Sequence, residues 1–302
     1  LTVTFSSLTP VVCTVSGNTA SLLISGLCTL RASQPGNTTY NPAPQVSQTF
    51  RVSQAAQTIT FAAIPSQLLG AQLSLSATAS SGLAVTFDST TPSICTVSGN
   101  VASLIAVGNC NLQAKQSGSP AYLAAPTINR SFMVALPTQT ISFPAIPSGQ
   151  TALSNITLSA TATSGLPVTF SSLTPAVCTV SGNTASLLIS GNCSLRASQP
   201  GNASFAAASP VNQTFRVSQI AQTITFAAIP SQVVGAQLSL SATATSGLTV
   251  TFDSTTPSVC TVSGNTASVI ATGSCNLQAK QPGTPVYLAA PTINRSFIVT
   301  HP

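Results

Sequence analysis

Eight cysteines are the residues with the clearest chemical potential, and they fall in four pairs: Cys13/Cys28, Cys95/Cys110, Cys178/Cys193 and Cys260/Cys275. Members of a pair are always fifteen residues apart, and the pairs recur about every 82 residues. One explanation must serve all four. A disulfide within each pair does so, and it places the chain in an oxidising, extracellular compartment. Closing a loop of this length constrains the unfolded chain by about 3 kcal/mol. Zinc is excluded, because two thiolates are half of a tetrahedral site and no further Cys or His lies near to complete it. A redox-active pair would be closer, as Cys-x-x-Cys, and would not be repeated four times.

Acid–base and nucleophilic chemistry lack their residues. The one histidine is His301, next to the last residue, so no Ser/His/Asp or Cys/His set can be drawn. Asp88 and Asp253 are the two acids, at equivalent positions of different repeats. Two repeats of roughly 35–40 Å separate them if strands rise about 3.3 Å per residue, whereas a carboxyl pair must lie within about 10 Å. Calcium wants six to eight oxygens, several of them carboxylates. No phosphate-cradling glycine motif is present. The expectation is therefore no enzyme, no cofactor and no metal.

Each acid has a recurrent companion: Asp88 with Lys115 and Asp253 with Lys280, both 27 residues apart. The equivalent positions in the other repeats are Ser6 and Ser33, and Ser171 and Ser198. Charge thus appears and disappears in pairs, which points to contact. Three readings stay open: a surface salt bridge worth 0–1 kcal/mol, coincidence, or a lysine isopeptide cross-link promoted by the aspartate.

These residues sit in a chain of 302 residues with only 3% charged side chains, against about 25% in an ordinary soluble domain. Forty-five serines and 42 threonines do the solvating instead. Disordered chains combine low hydrophobicity with high net charge; here 43% of residues are hydrophobic. Polar residues interrupt every apolar run, so a membrane helix of about 18 residues is excluded, and 5% aromatics cannot girdle a membrane barrel. No targeting segment precedes the repeats, so a mature chain or a fragment is expected. The net charge of +6 is spread over Arg31, Arg51, Lys115, Arg130, Arg196, Arg216, Lys280 and Arg295. Nucleic-acid binding needs such charge clustered on one face, so neither nucleic acid nor membrane insertion is expected.

Internal repetition sets the elements that must position the cysteines. Residues 1–137 map without a gap onto 166–302; Phe5–Pro10 (FSSLTP), for example, recurs at Phe170–Pro175. A weaker repeat within each half gives two alternating subtypes. The expected division is a partial repeat at 1–54, then full repeats at 55–137, 138–220 and 221–302. The second repeat holds seven strand-like segments: Gln57–Phe61, Gln72–Thr78, Ala84–Asp88, Ile94–Val97, Ala102–Val107, Asn111–Lys115 and Ile128–Val134. Several alternate apolar and polar residues, as in Leu73-Ser74-Leu75-Ser76. Pro and Gly separate them, and Gly99-Asn100 suits a tight hairpin in which both residues tolerate positive φ. The spacing predicts an all-β tandem array of seven-stranded immunoglobulin-like sandwiches rather than a solenoid of shorter repeats.

The run Thr91–Asn100 (TPSICTVSGN), followed by Gly108–Ala114 (GNCNLQA), resembles the group 2 bacterial immunoglobulin-like domains. Those stand in tandem in intimin- and invasin-like adhesins and in very large surface proteins. Their usual pattern has small residues where Cys95 and Cys110 stand; the cysteines resemble a disulfide-bearing branch with "QTITF…CTVSGN…C" repeats. The resemblance implies the fold over the whole chain and a spacer role, and it carries no binding residue over.

Tyr40, Tyr122, Phe205 and Tyr287 recur after the sixth strand, where a ring buried to anchor a loop is expected rather than a ligand-stacking surface. Sequons such as Asn155-Ile156-Thr157, Asn202-Ala203-Ser204 and Asn294-Arg295-Ser296 are expected by chance in so Ser/Thr-rich a chain. Linkers of about three residues, Gln54–Ala56, Leu136–Thr138 and Gln219–Ala221, predict a semi-rigid rod. Low charge favours self-association into a fibre, head-to-tail or lateral. The leading function is a structural spacer of an extracellular bacterial filament, sheath or giant surface protein. The alternative is an adhesin segment binding a receptor or glycan, with any host or surface ligand otherwise lying outside these residues. Leu1 aligns with Leu166, so the first repeat lacks the counterpart of Gln139–Gly165 and its six apolar residues Ile141, Phe143, Ile146, Leu153, Ile156 and Leu158. At about 1.5–3 kcal/mol each, that loss rivals a whole domain's 5–15 kcal/mol. A window cut from a longer repetitive chain is expected, or strands donated by a neighbouring chain.

Overall fold

A computed structural model describes residues 1–302, and every regular element in it is a β-strand. Strands β1 (Thr4–Ser7), β2 (Cys13–Ser16), β3 (Thr19–Leu22), β4 (Gly26–Ser33) and β5 (Val46–Val52) come first. The next repeat contains β6 (Ile59–Phe61), β7 (Gln67–Leu68), β8 (Gln72–Ser74), β9 (Ala77–Ala79), β10 (Thr86–Ser89), β11 (Cys95–Ser98), β12 (Val101–Leu104), β13 (Gly108–Lys115) and β14 (Ile128–Ala135). The chain forms two compact units, Leu1–Pro137 and Thr138–Pro302. It is a tandem array of immunoglobulin-like β-sandwiches.

The sandwich is clearest in β6–β14. One sheet has the order β10-β13-β14-β7, the other β11-β12-β8, and β6 pairs with β9 beside them. Every ladder in it is antiparallel except β14–β7. Alternation puts Leu112 and Ala114 of β13 and Phe132 and Val134 of β14 inward, where they meet Ile59, Phe61, Leu75, Phe87 and Leu104. Phe61 and Phe87 pack tilted with ring centroids 5.4 Å apart, a favoured aromatic geometry. Equivalent cores fill residues 141–217 and 224–299.

Two local expectations are corrected and a third is met in a particular form. The single strand expected over Gln72–Thr78 is two strands in different ladders: β8 pairs with β12, while β9 pairs with β6. The chain changes sheets around Leu75, whose side chain is buried in the core and whose N–H donates to the Asn100 carbonyl. The strand expected to reach Val107 stops at Leu104, and Ile105 and Val107 are exposed. In the β11–β12 hairpin only Gly99 has positive φ, +60°, and Asn100 does not. Gly in the first central position is the type II′ requirement.

Strands β1–β5 match β10–β14 in order and register, with β1–β4–β5 in one sheet and β2–β3 in the other. Nothing in the chain lies over them as β6–β9 lie over β10–β14, and Leu22, Phe5 and Phe50 are exposed.

Candidate functional site: cross-links, buried glutamines and inter-repeat joints

All eight cysteines are fully buried and paired as Cys13–Cys28, Cys95–Cys110, Cys178–Cys193 and Cys260–Cys275. Cys95 opens β11 in one sheet, and Cys110 lies in β13 in the other. Each bond is therefore a rivet between the layers, with Cα atoms 5.7–5.8 Å apart. Local chemistry supports this spacing. The Thr91 hydroxyl accepts from the Asn111 N–H at 2.9 Å, and the Ser89 hydroxyl accepts from the Thr91 N–H at 3.1 Å. These hold the β10–β11 turn against β13 just beside the bond.

Lys115 Nζ lies 2.8 Å from Asp88 Oδ2, and Lys280 stands likewise to Asp253. The register explains the 27-residue spacing: Asp88 faces Gln113 across β10–β13, so Lys115 is its diagonal neighbour two residues on. Both side chains are about half exposed, 44% and 56%, so the pair is worth at most about 1 kcal/mol. The contact has the geometry of a nitrogen–oxygen ion pair. No three His, Cys, Asp or Glu side chains come together as a metal-ligand group, and His301 is exposed at the chain end.

The ring anchor expected after the sixth strand is not what holds that loop. Tyr122, Phe205 and Tyr287 are half-buried, and Tyr40 is exposed. Buried glutamines hold it instead, and sequence reasoning missed them. Gln57 Nε2 donates to Gln116 Oε1 and to the Leu123 carbonyl at 2.6 Å, and Gln57 Oε1 accepts from the Ser81 hydroxyl. Gln116 Oε1 also accepts from the Gly118 N–H at 2.6 Å. Gly118 has φ +86°, and a Cβ there would lie 2.6 Å from the Tyr122 carbonyl oxygen, so only glycine fits. The network recurs with Gln139, Gln199 and Ser164, and with Gln222, Gln281 and Ser246. A second tie secures β6: Arg130 donates from Nε and Nη2 to the Phe61 carbonyl, as Arg295 Nε does to that of Phe226. Gln213 does the same for Phe143.

Within each unit the loop after the sixth strand also grips the preceding repeat. In Leu1–Pro137, the Ala55 N–H donates to the Ala121 carbonyl and the Leu123 N–H to the Ala55 carbonyl, both at 2.8 Å. Gln54 Nε2 donates to the Ser119 carbonyl at 2.6 Å and to that of Tyr122 at 3.2 Å. The Ser25 N–H completes the set on the Pro120 carbonyl. In Thr138–Pro302, Gln219, Ile220 and Ser190 repeat the pattern on Thr284, Pro285, Val286, Tyr287 and Leu288. A short linker with both its backbone groups and a side-chain amide engaged has little freedom to bend.

No protein-family model and no curated protein sequence matches the chain. Solved structures do match it. Drosophila N-cadherin EC1-4 is 12% identical with a TM-score of 0.27, over 99% of this chain and 92% of that one. The surface layer protein SbsC, domains 1–6, is 15% identical with a TM-score of 0.26, over 96% and 48%. Sidekick-1 immunoglobulin domains 1–5 are 15% identical with a TM-score of 0.26, over 99% and 73%.

Proposed function

We propose that the chain is a non-catalytic, disulfide-riveted spacer of an extracellular bacterial filament, sheath or large surface protein, of the group 2 immunoglobulin-like type. The observation that carries this reading is the repetition of one buried inter-sheet disulfide in all four repeats. A bond that persists in oxidising compartments, used identically four times, serves the scaffold and not a site. The hydrogen-bonded joints support the same reading, because they pass load between repeats through the backbone. A surface of Ser and Thr with few charges offers little mutual repulsion, which suits lateral or head-to-tail association.

Single-molecule pulling on the full chain tests the proposal. Each repeat should lengthen by less than its contour when oxidised, and by the additional fifteen-residue loop when reduced. Release lengths that do not change with reductant would overturn the reading of the disulfides as limits on extension. Saturable binding of a glycan or a receptor ectodomain by the isolated chain would favour the adhesin reading instead.

A further inference from the structure

Seven Asn-x-Ser/Thr sequons occur in the chain, and the structure separates them into two groups. Asn129, Asn155, Asn192, Asn212 and Asn294 lie inside β-strands, each facing a ladder partner. Asn37 and Asn202 stand 165 residues apart at the tip of the loop that in the second repeat joins β13 to β14. In the third repeat Asn202, Ala203 and Ser204 are all exposed. Both side-chain hydrogen bonds of Asn202 fall on its Oδ1, from the Ser204 N–H at 2.8 Å and the Phe205 N–H at 2.9 Å, so the Nδ2 amide is uncommitted. Asn37 Oδ1 accepts from the Thr39 and Tyr40 N–H groups in the same way. Capping the turn does not account for these residues. Ser119 Oγ caps it in the second repeat, accepting from the Ala121 N–H at 3.2 Å, and Thr284 Oγ1 in the fourth, accepting from the Val286 N–H at 3.1 Å. Two places after the cap those repeats have Ala121 and Val286, whereas the asparagines are followed by Thr39 and Ser204. Thr39 and Ser204 enter the turn through their N–H groups, not their hydroxyls.

We propose that Asn202, with Asn37 at the equivalent position, is a site of N-glycosylation whose Nδ2 takes a sugar from a glycosyl diphosphate. The amide nitrogen attacks the anomeric carbon. The C–N bond forms as the C–O bond to the diphosphate breaks, the diphosphate leaves with the bonding pair, and the nitrogen gives up one proton to a base of the transferase. Recognition needs the asparagine together with the hydroxyl two residues on, which gives the hydroxyls of Ser204 and Thr39 a use that the turn does not. A strand sequon must leave its ladder to enter an enzyme's cleft, whereas the 202 tip is already turned, with Gly201 at φ +78° and only small side chains at 203 and 204. The distribution over the repeats supports the same assignment. The equivalent loops of the second and fourth repeats hold the preceding linker, Gln54 on the Ser119 carbonyl and Gln219 on that of Thr284. A sugar on that corner would stand against those bonds, and both sequon residues are replaced there. Sequon and linker grip thus occupy different loops of each unit. Bound sugars would also add hydration that 3% charged side chains do not supply. The assignment does not rest on the spacer reading.

Site occupancy measured by peptide mass spectrometry on the folded, oxidised full chain tests this, with two donors in separate arms. One arm supplies a nucleotide hexose and a soluble N-glycosyltransferase, the other a polyprenyl-diphosphate oligosaccharide and a membrane oligosaccharyltransferase. In at least one arm Asn202 and Asn37 should be modified about tenfold or more faster than any strand sequon, which must first open its ladder; that arm identifies the donor. Ser204→Ala should abolish modification at Asn202 while leaving Asn37 and the hydrogen exchange of the third repeat unchanged, which separates recognition of the hydroxyl from an effect on the fold. Reducing and unfolding the chain should bring the strand sequons up to the loop rate. Strand sequons modified as fast as Asn202 in the folded chain would overturn the proposal. So would no modification of Asn202 in either arm, or an Asn202 without sugar in protein isolated from its native source.

Discussion

Replacing Gln57 by Leu isolates the energetic role of the buried amide. Leucine is one atom shorter and branched at Cγ but of comparable volume, so the loss is dominated by the amide's hydrogen bonds. Three hydrogen bonds are lost: two donated to Gln116 Oε1 and the Leu123 carbonyl, and one accepted from Ser81. Gln57 is only 3% exposed, so water cannot readily replace them. Each is worth about 1 kcal/mol net, and a buried partner left unpaired costs about 1–3 kcal/mol. The Gln116 oxygen keeps the Gly118 N–H and so escapes that penalty. The expected loss is about 3 kcal/mol, which for a domain of this size lowers Tm by roughly 12–24 °C. Global unfolding of four repeats is not two-state, so the readout is exchange within residues 108–125, compared with the unchanged Gln222 repeat as an internal standard. Ser81→Ala should cost less, about 1 kcal/mol, and combining it with Gln57→Leu should cost less than the sum because the two share a bond. A neutral or stabilising Gln57→Leu would refute the idea that the amide, and not the surrounding apolar packing, holds the loop.

Other outcomes can be checked on the same protein. Replacing Cys95 and Cys110 together by Ala should destabilise that repeat by about 3 kcal/mol and leave the third and fourth unchanged; peptide mapping without reductant should find no bridge between repeats. Leu153 is the one non-glycine residue with positive φ, 62°, and it stands where Gly70 and Gly235 do, making the same N–H bond to the facing strand. It is exposed, so Leu153→Gly should stabilise the third repeat by about 0.5–1 kcal/mol, the backbone strain relieved less the added entropy of the unfolded glycine; a loss of stability in denaturant melts would contradict this. Asp88→Asn should cost less than about 1 kcal/mol, with the effect fading in high salt, and an intact mass lower by a water for each Lys–Asp pair would show a covalent link instead. Gln54→Ala should speed exchange at Ala55 and Leu123 without lowering the unfolding transition of either flanking repeat.

What could be read from the residues was what chemistry imposes at fixed spacing. Cysteines at a constant fifteen-residue interval admit few explanations, and the paired appearance of Asp88 and Lys115 reports a diagonal contact that any β-ladder in that register makes. The buried glutamines were opaque because a chain solvated by Ser, Thr and Gln gives no contrast between an inward and an outward amide. Their signal lay in joint recurrence: Gln57, Ser81 and Gln116 return together in both complete repeats that follow, with serine kept at 164 and 246 although the neighbouring residue varies. The sheet change at Leu75 was hidden because alternation continues smoothly through Leu73, Leu75 and Ala77, and periodicity registers which face a residue takes but not which partner strand it pairs with. Ile105 and Val107 misled for the opposite reason, being β-branched residues at a turn whose solvent exposure composition does not reveal.

The inter-repeat joint has two halves made by different repeats: donors on Gln54 and Ala55 at the end of one, carbonyls of Ser119–Tyr122 in the next. Leu136 and Pro137 occupy the positions of Gln54 and Ala55 and bring neither a side-chain amide nor, at the proline, an N–H. Any change in the number of repeats would act on this asymmetry. Gain or loss of 165 residues keeps every donor half ahead of a matching acceptor half. Gain or loss of a single cysteine period preserves the disulfides and the sandwich yet sets a Leu-Pro terminus before a loop built to receive donors, or the reverse. The pairing of donor and acceptor halves is thus kept at the 165-residue interval, the interval at which the sequence repeats with far higher identity.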